Sequence, residues 1–187
     1  SQQSPLKSRI PADAVTRSPT GPISKWQPII FKFQGPAVAE QGTPNPFTDF
    51  RLDMTFQRGD RRISVPGYFA ADGNAAETSA TSGTIWRVHF LPDEEGEWTW
   101  QANFRSGENI AVSQDASSGR TLAPDGQNGS FVVGPVDRDA EGFYRKGLLK
   151  YTGHRYLHFS ETGEPFLKSG IDSPENLLAY ADFDDTT

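Results

Sequence analysis

Cysteine is absent from all 187 residues, which removes disulfides and thiolate zinc sites from the chemistry open to this chain. No apolar run approaches the roughly 20 residues a bilayer-crossing helix needs, so membrane insertion is not expected. Dense Lys/Arg runs are missing and the formal net charge is −6, so there is no electrostatic footprint for a phosphate backbone and nucleic acid is not an expected partner. Histidine is scarce, and His89, His154 and His158 have no short metal-ligand spacing; structural roles are expected for all three. The chain also lacks a G-x-S-x-G elbow, a phosphate loop and a Ser/His/Asp set, so no catalytic residue, metal or cofactor is assigned. The opening "SQQSPLKSRI" has neither an initiator Met nor an apolar signal core, and a processed or trimmed N-terminus is expected.

Glycine and proline, 18 and 14 residues, punctuate the chain too often for long helices and suit short strands joined by turns. Hydrophobic residues reach only 35%, but aromatics reach 12%, and each large ring buries on the order of 150–250 Å². An aromatic-rich core follows. In "FRLDMTFQR", Phe50, Leu52, Met54 and Phe56 fall on one face of a strand; "TIWRVHFLP" places Trp86, Val88 and Phe90 together, and "EWTWQANF" places Trp98, Trp100, Ala102 and Phe104 together. Between the last two, "LPDEEGEW" reads as the polar loop of an antiparallel hairpin, with Gly96 at positive φ. Further strands are expected at "IIFKFQ", "RISVPGYF" and "SFVVG", and no helical period precedes Pro174. The expected fold class is all-β: an immunoglobulin-like antiparallel β-sandwich over residues 25–135, preceded by a Ser/Pro-rich arm over 1–24. Beyond "GPVDRDAEG", residues 136–187 read as a connector with short strands at "GLLKY", "RYLHFS" and "PFLKSG", then a short helix at "ENLLAYAD".

Three groups of residues could bear chemistry. Asp172, Glu175 and Asn176 share the loop "GIDSPEN" and suit hydrogen bonds to sugar hydroxyls; capping of the short helix by Asp172 and Ser173, with Glu175 in its first turn, is the favoured reading of the same residues. Trp26 and Tyr68 are candidates for stacking on a sugar ring, and because Tyr68 and Phe69 are consecutive in a strand, one of them points outward. Trp86, Trp98 and Trp100 are in phase with other apolar residues and belong to the core. The acidic run "DEEGE" lacks the spaced pattern of a calcium loop and reads as a solvated hairpin tip, and "DFDD" is equally weak.

The pieces "NPF" (45–47), "VPGYF" (65–69), "WRVHFLPDEEGEWTW" (86–100) and "GSFVV" (129–133), in that order, resemble the DUF5060 family, an N-terminal sandwich domain found ahead of catalytic barrels in bacterial glycoside hydrolases. The stretch "GFYRKGLLKYTGHRYLHFSETGEPFLKSGIDSPENLLAY" resembles the connector and first barrel strand of such proteins. The resemblance implies a non-catalytic region of a secreted or periplasmic enzyme, bracing a C-terminal (β/α)8 barrel of the same polypeptide that acts on a poly- or oligosaccharide. It also implies that the catalytic carboxylates stand on later barrel strands. A self-standing carbohydrate-binding module and a structural or adhesive immunoglobulin-like domain are the alternatives.

Overall fold

The computed structural model describes residues 15–170. Two sheets face each other. Sheet I runs β1 (Val15–Ser18), β3 (Ile29–Ala39), β7 (Ser82–Phe90), β6 (Tyr68–Phe69), all antiparallel. Sheet II runs β2 (Ile23–Ser24), β10 (Asn128–Gly134), β8 (Gly96–Ser106), β4 (Phe50–Arg58), β5 (Arg61–Pro66), with β9 (Arg120–Thr121) also on β8. Only the short β2–β10 pair is parallel among the described strands. A third, two-stranded ribbon, β11 (Leu149–Lys150) with β12 (His158–Phe159), lies in the connector.

The period-two segments form strands as expected, because each has one face of large apolar groups that only the opposite sheet can cover. Phe31 and Phe33 of β3 and Trp86 and Val88 of β7 meet Met54 and Phe56 of β4 and Trp98 and Phe104 of β8, all at 2% exposure or less. Phe56 stacks on Phe90 with centroids 3.9 Å apart and planes at 7°, and Phe31 and Phe131 pack around it. No polar or charged side chain is buried in this core among the described residues.

One expectation is overturned. β7 and β8 do not pair as a hairpin: β7 belongs to sheet I and β8 to sheet II, and the loop 91–95 crosses from one layer to the other. A hairpin would put both apolar faces on the same side of one sheet; crossing the roughly 10 Å gap turns them toward each other. Phe90 and Trp98 accordingly meet edge to face at 5.1 Å across the core. The loop is pinned by charge. Arg58 donates to Glu95 O at 2.6 Å and pairs with Glu94 at 2.6 Å, while Arg61 pairs with Asp93 and Glu94 at 2.6 and 2.7 Å. Pro92 is buried beneath, and its carbonyl accepts the Trp26 N–H. The acidic run is therefore a clamp for two arginines rather than a free hairpin tip. Gly96 does take positive φ, +111°. The tight hairpin of the fold is β4–β5, closed by Gly59-Asp60 between the paired Arg58 and Arg61.

Two further differences are local. The stretch 71–83 contains one helical turn, α1 (Ala75–Thr78), in which Asp72 accepts from the Asn74 N–H and the Thr78 hydroxyl; four residues are too few to show a period. A 3-10 turn covers Ile110–Val112. The stretch read as an arm also supplies β1 and β2, whose sheet membership comes from backbone pairing that leaves little trace in composition.

Phe56→Ala should cost about 3–5 kcal/mol in chemical denaturation, since the cavity it leaves is walled by Phe31, Phe90 and Phe131. Thr55→Ala, on the opposite face of the same strand, should stay within about 0.5 kcal/mol.

Candidate functional surface

The connector is fastened to the sandwich at Trp26. This residue takes φ of +67° in the turn after β2, which drives its indole under the connector, and it is 4% exposed. Its Nε1–H donates to Glu161 Oε1 at 2.8 Å, and Lys25 Nζ reaches the same oxygen at 2.5 Å. Gly147, at φ +78°, lies against the ring: a Cβ there would fall 3.1 Å from Trp26 Nε1, so close approach and backbone sign both call for glycine. The Lys25 ammonium holds the Glu161 carboxyl below its ordinary value of 4.5, with the Trp26 hydrogen bond adding to the effect and partial burial opposing it. Trp26 therefore has no face open to a sugar, contrary to the stacking role considered for it.

Around this clasp the connector builds a small core of its own. Phe159, 4% exposed, packs against Phe143 and Phe166 at 5.2 and 5.8 Å. Backbone bonds from Ser160 N to Leu148 O and from Glu161 N to Lys146 O extend the β11–β12 ribbon, and Lys146 pairs with Glu164 at 2.5 Å. Several of the connector's large apolar side chains are open to solvent: Tyr151 is 75%, Leu167 65%, Phe143 61% and Tyr144 53% exposed, with Leu148, Leu149, Tyr156 and Leu157 also exposed. The expected strand at 165–170 is represented by a single bridge, Pro165 to His158. Asp172, Glu175 and Asn176 lie outside the described residues.

Tyr68 is on the outer face of sheet I, 46% exposed, while Phe69 turns inward at 7%, the split expected of neighbours in a strand. Its hydroxyl is 3.0 Å from His89 Nε2, and the two rings lie nearly parallel, 5.7 Å apart at 26°. This pair is an exposed flat surface. His154 and His158 also approach, 5.7 Å between centroids, but no group of three or more His, Asp or Glu residues is arranged to hold a metal among the described residues.

A cavity of about 720 Å³ opens at one end of the sandwich, with Pro36, Val38, Phe50 and Leu122 as walls and Asp49, Glu108 and Arg120 at the rim. Asp49 is already committed to structure: it accepts from the backbone N–H of Asn45 and Asn109, and these bonds hold its carboxyl below the ordinary range. Glu161 and Lys25 were invisible to sequence reasoning, since the Trp26–Glu161 bond joins residues 135 apart in the chain.

The clasp should respond to acid. Because the folded Glu161 carboxyl titrates below 4.5, the stabilisation it supplies is complete above that pH and disappears as pH falls through the lowered value. Hydrogen exchange at the amides of Ser160 and Glu161 should accelerate in that window beyond the intrinsic chemical rate. Glu161→Gln should flatten the response, and an unchanged response in that variant would remove the clasp as its cause.

Residues 22–105 match the family model "Domain of unknown function (DUF5060)". Among solved structures, the chain is similar to the crystal structure of a protein from Bacteroides vulgatus ATCC 8482 described as a "putative glycoside hydrolase", at 22% identity and a TM-score of 0.52. The alignment covers 77% of this chain and 21% of that one, so the chain spans about a fifth of its neighbour, and the likeness is one of fold. No curated protein matches the chain. The matched segment runs from β2 through most of β8 and takes in both sheets. Residues 22–105 thus resemble the DUF5060 family, and β1 and β10 complete the sandwich around the matched segment.

Proposed function

We propose that this chain is the non-catalytic N-terminal region of a secreted glycoside hydrolase, in which the sandwich braces a C-terminal catalytic barrel of the same polypeptide and flanks its polysaccharide groove. The observation that carries this reading is the connector, anchored at Trp26 and presenting Tyr144, Tyr151 and Leu167 to solvent. Exposed apolar side chains of that kind on a segment fastened to the sandwich suit a partner domain. The fold neighbour's description and its length, about five times the span aligned here, support the hydrolase context.

In this reading residues 25–135 are the sandwich, with 1–24 contributing its outer strands, and 136–187 are the connector and the start of the barrel. Asp172, Glu175 and Asn176 then belong to one loop of the barrel's substrate face and contact sugar hydroxyls, while the acid and nucleophile come from other barrel strands. Tyr68, beside His89, is the exposed ring suited to a sugar at the sandwich itself.

The test is the intact mass of the protein in its source, followed by variants of the longer species. A polypeptide well above 20.6 kDa is expected. In it, Tyr151→Lys with Leu167→Lys should lower the barrel's unfolding midpoint while leaving the sandwich transition in place. The isolated 187 residues should show no glycosidase turnover. A native species of only 20.6 kDa, or hydrolysis by this chain that is lost with Asp172→Asn or Glu175→Gln, would overturn the proposal.

A further inference from the structure

A second surface is defined by strand register. On the outer side of sheet II, Ser130, Thr99, Gln57 and Arg62 stand in one row across β10, β8, β4 and β5, and Asn128, Gln101, Thr55 and Ser64 stand in the next. Directly opposed residues have Cβ atoms roughly 4.5–5.5 Å apart, so each row is a ladder of side chains crossing four strands. The middle of both rows is neutral: amides and hydroxyls, with Arg62 and Glu97 only at the margins. Except for Ser64, these residues line a groove of about 520 Å³.

Much of the hydrogen-bonding capacity in the groove is free. Gln57 and Asn128 each donate once to a nearby backbone carbonyl, and Thr99 makes one long bond of 3.4 Å to Gln57 O. Thr55, Gln101 and Ser130 make no side-chain hydrogen bond among the described residues. The ring of Trp100 lies on the other side of the sheet: it packs against Phe31 in the core, where Gly129 makes room for it, so the groove is lined by polar side chains and backbone. An ordinary solvated sheet face is dominated by long charged groups. Here an array of uncharged donors and acceptors spans the middle of the groove, which matches a ligand bearing many hydroxyls but no charge.

We propose that the outer face of sheet II binds a neutral polysaccharide laid across β10, β8, β4 and β5, with Gln101, Asn128 and Thr99 bonding its hydroxyls. The choice of polysaccharide among neutral polyols rests on the hydrolase reading above; the groove does not depend on the connector or on Tyr68.

Native gel electrophoresis of the 187-residue chain in gels containing xylan, galactomannan, mixed-linkage β-glucan or dextran, with polygalacturonate as a polyanion, tests this directly. Retardation by at least one neutral polymer is expected, persisting in high salt. Gln101→Ala with Asn128→Ala should weaken it about tenfold or more at an unchanged denaturation midpoint, and Lys32→Ala, at an exposed position of β3 in the other sheet, should leave it intact. No retardation by any neutral polymer, retardation that the double variant leaves unchanged, an equal loss with Lys32→Ala, or a salt-sensitive effect confined to polygalacturonate would each overturn the proposal. The brace is read by native mass and connector variants and the groove by mobility, so either can fail without the other.

Discussion

The structure depends on one constraint: two sheets rich in Phe and Trp have no way to cover their apolar faces except against each other. Phe31, Phe56, Phe90 and Phe131 form a contiguous aromatic cluster drawn from β3, β4, β7 and β10, two strands from each sheet. Because their rings are large, few are needed, which is how a chain with 35% hydrophobic residues fills a core in which, among the described residues, no polar side chain is buried. The same demand explains the close approaches. Gly67 faces the Leu52 side chain, where a Cβ would fall 2.6 Å away, and Gly35 faces the Trp86 ring at the same distance. Each glycine admits a neighbour's bulk where backbone and core ring compete for space.

The crossing at 91–95 follows from that constraint and shapes the surface around it. Once β7 and β8 lie in different sheets, the loop between them must span the layers, and its carboxylates come to rest beside the β4–β5 hairpin, where Arg58 and Arg61 meet them. These pairs are substantially exposed, so their direct contribution is small; their role is to fix the path of a loop whose Pro92 carbonyl positions Trp26. The arch thus sits one residue from the clasp that fastens the connector. Core geometry and connector placement are consequently linked through a single turn.

Element type was legible in the sequence because large apolar residues at spacing two leave no other reading, as in Phe50, Leu52, Met54 and Phe56. Pairing was not. A short polar loop with a glycine at positive φ serves a hairpin and an arch alike, and what decides between them is the surface across the core, which local sequence does not contain. Exposure of Tyr68 and burial of Phe69 were anticipated as a pair of opposites, though not which was which. Trp26 was misjudged because a lone ring in a turn has no period to assign its face, and Glu161, which holds it, is 135 residues away. The β1 strand went unread since its pairing with β3 is made by backbone groups common to every sequence.

The two faces available for recognition differ in a way that bears on their roles. The connector exposes apolar and aromatic side chains, and it is anchored by charged hydrogen bonds through Glu161, an arrangement suited to burial against protein. The middle of the groove on the outer face of sheet II is neutral and polar and stands on the most extensively paired of the described strands, β8 bonding to β4, β10 and β9. Pairing on both edges holds those side chains in register without the loops that give most binding sites their adaptability. A rigid ladder of this kind can recognise only a ligand with its own regular repeat. A polymer meets that requirement, whereas a small molecule would occupy a fraction of the groove and leave most of its donors in water.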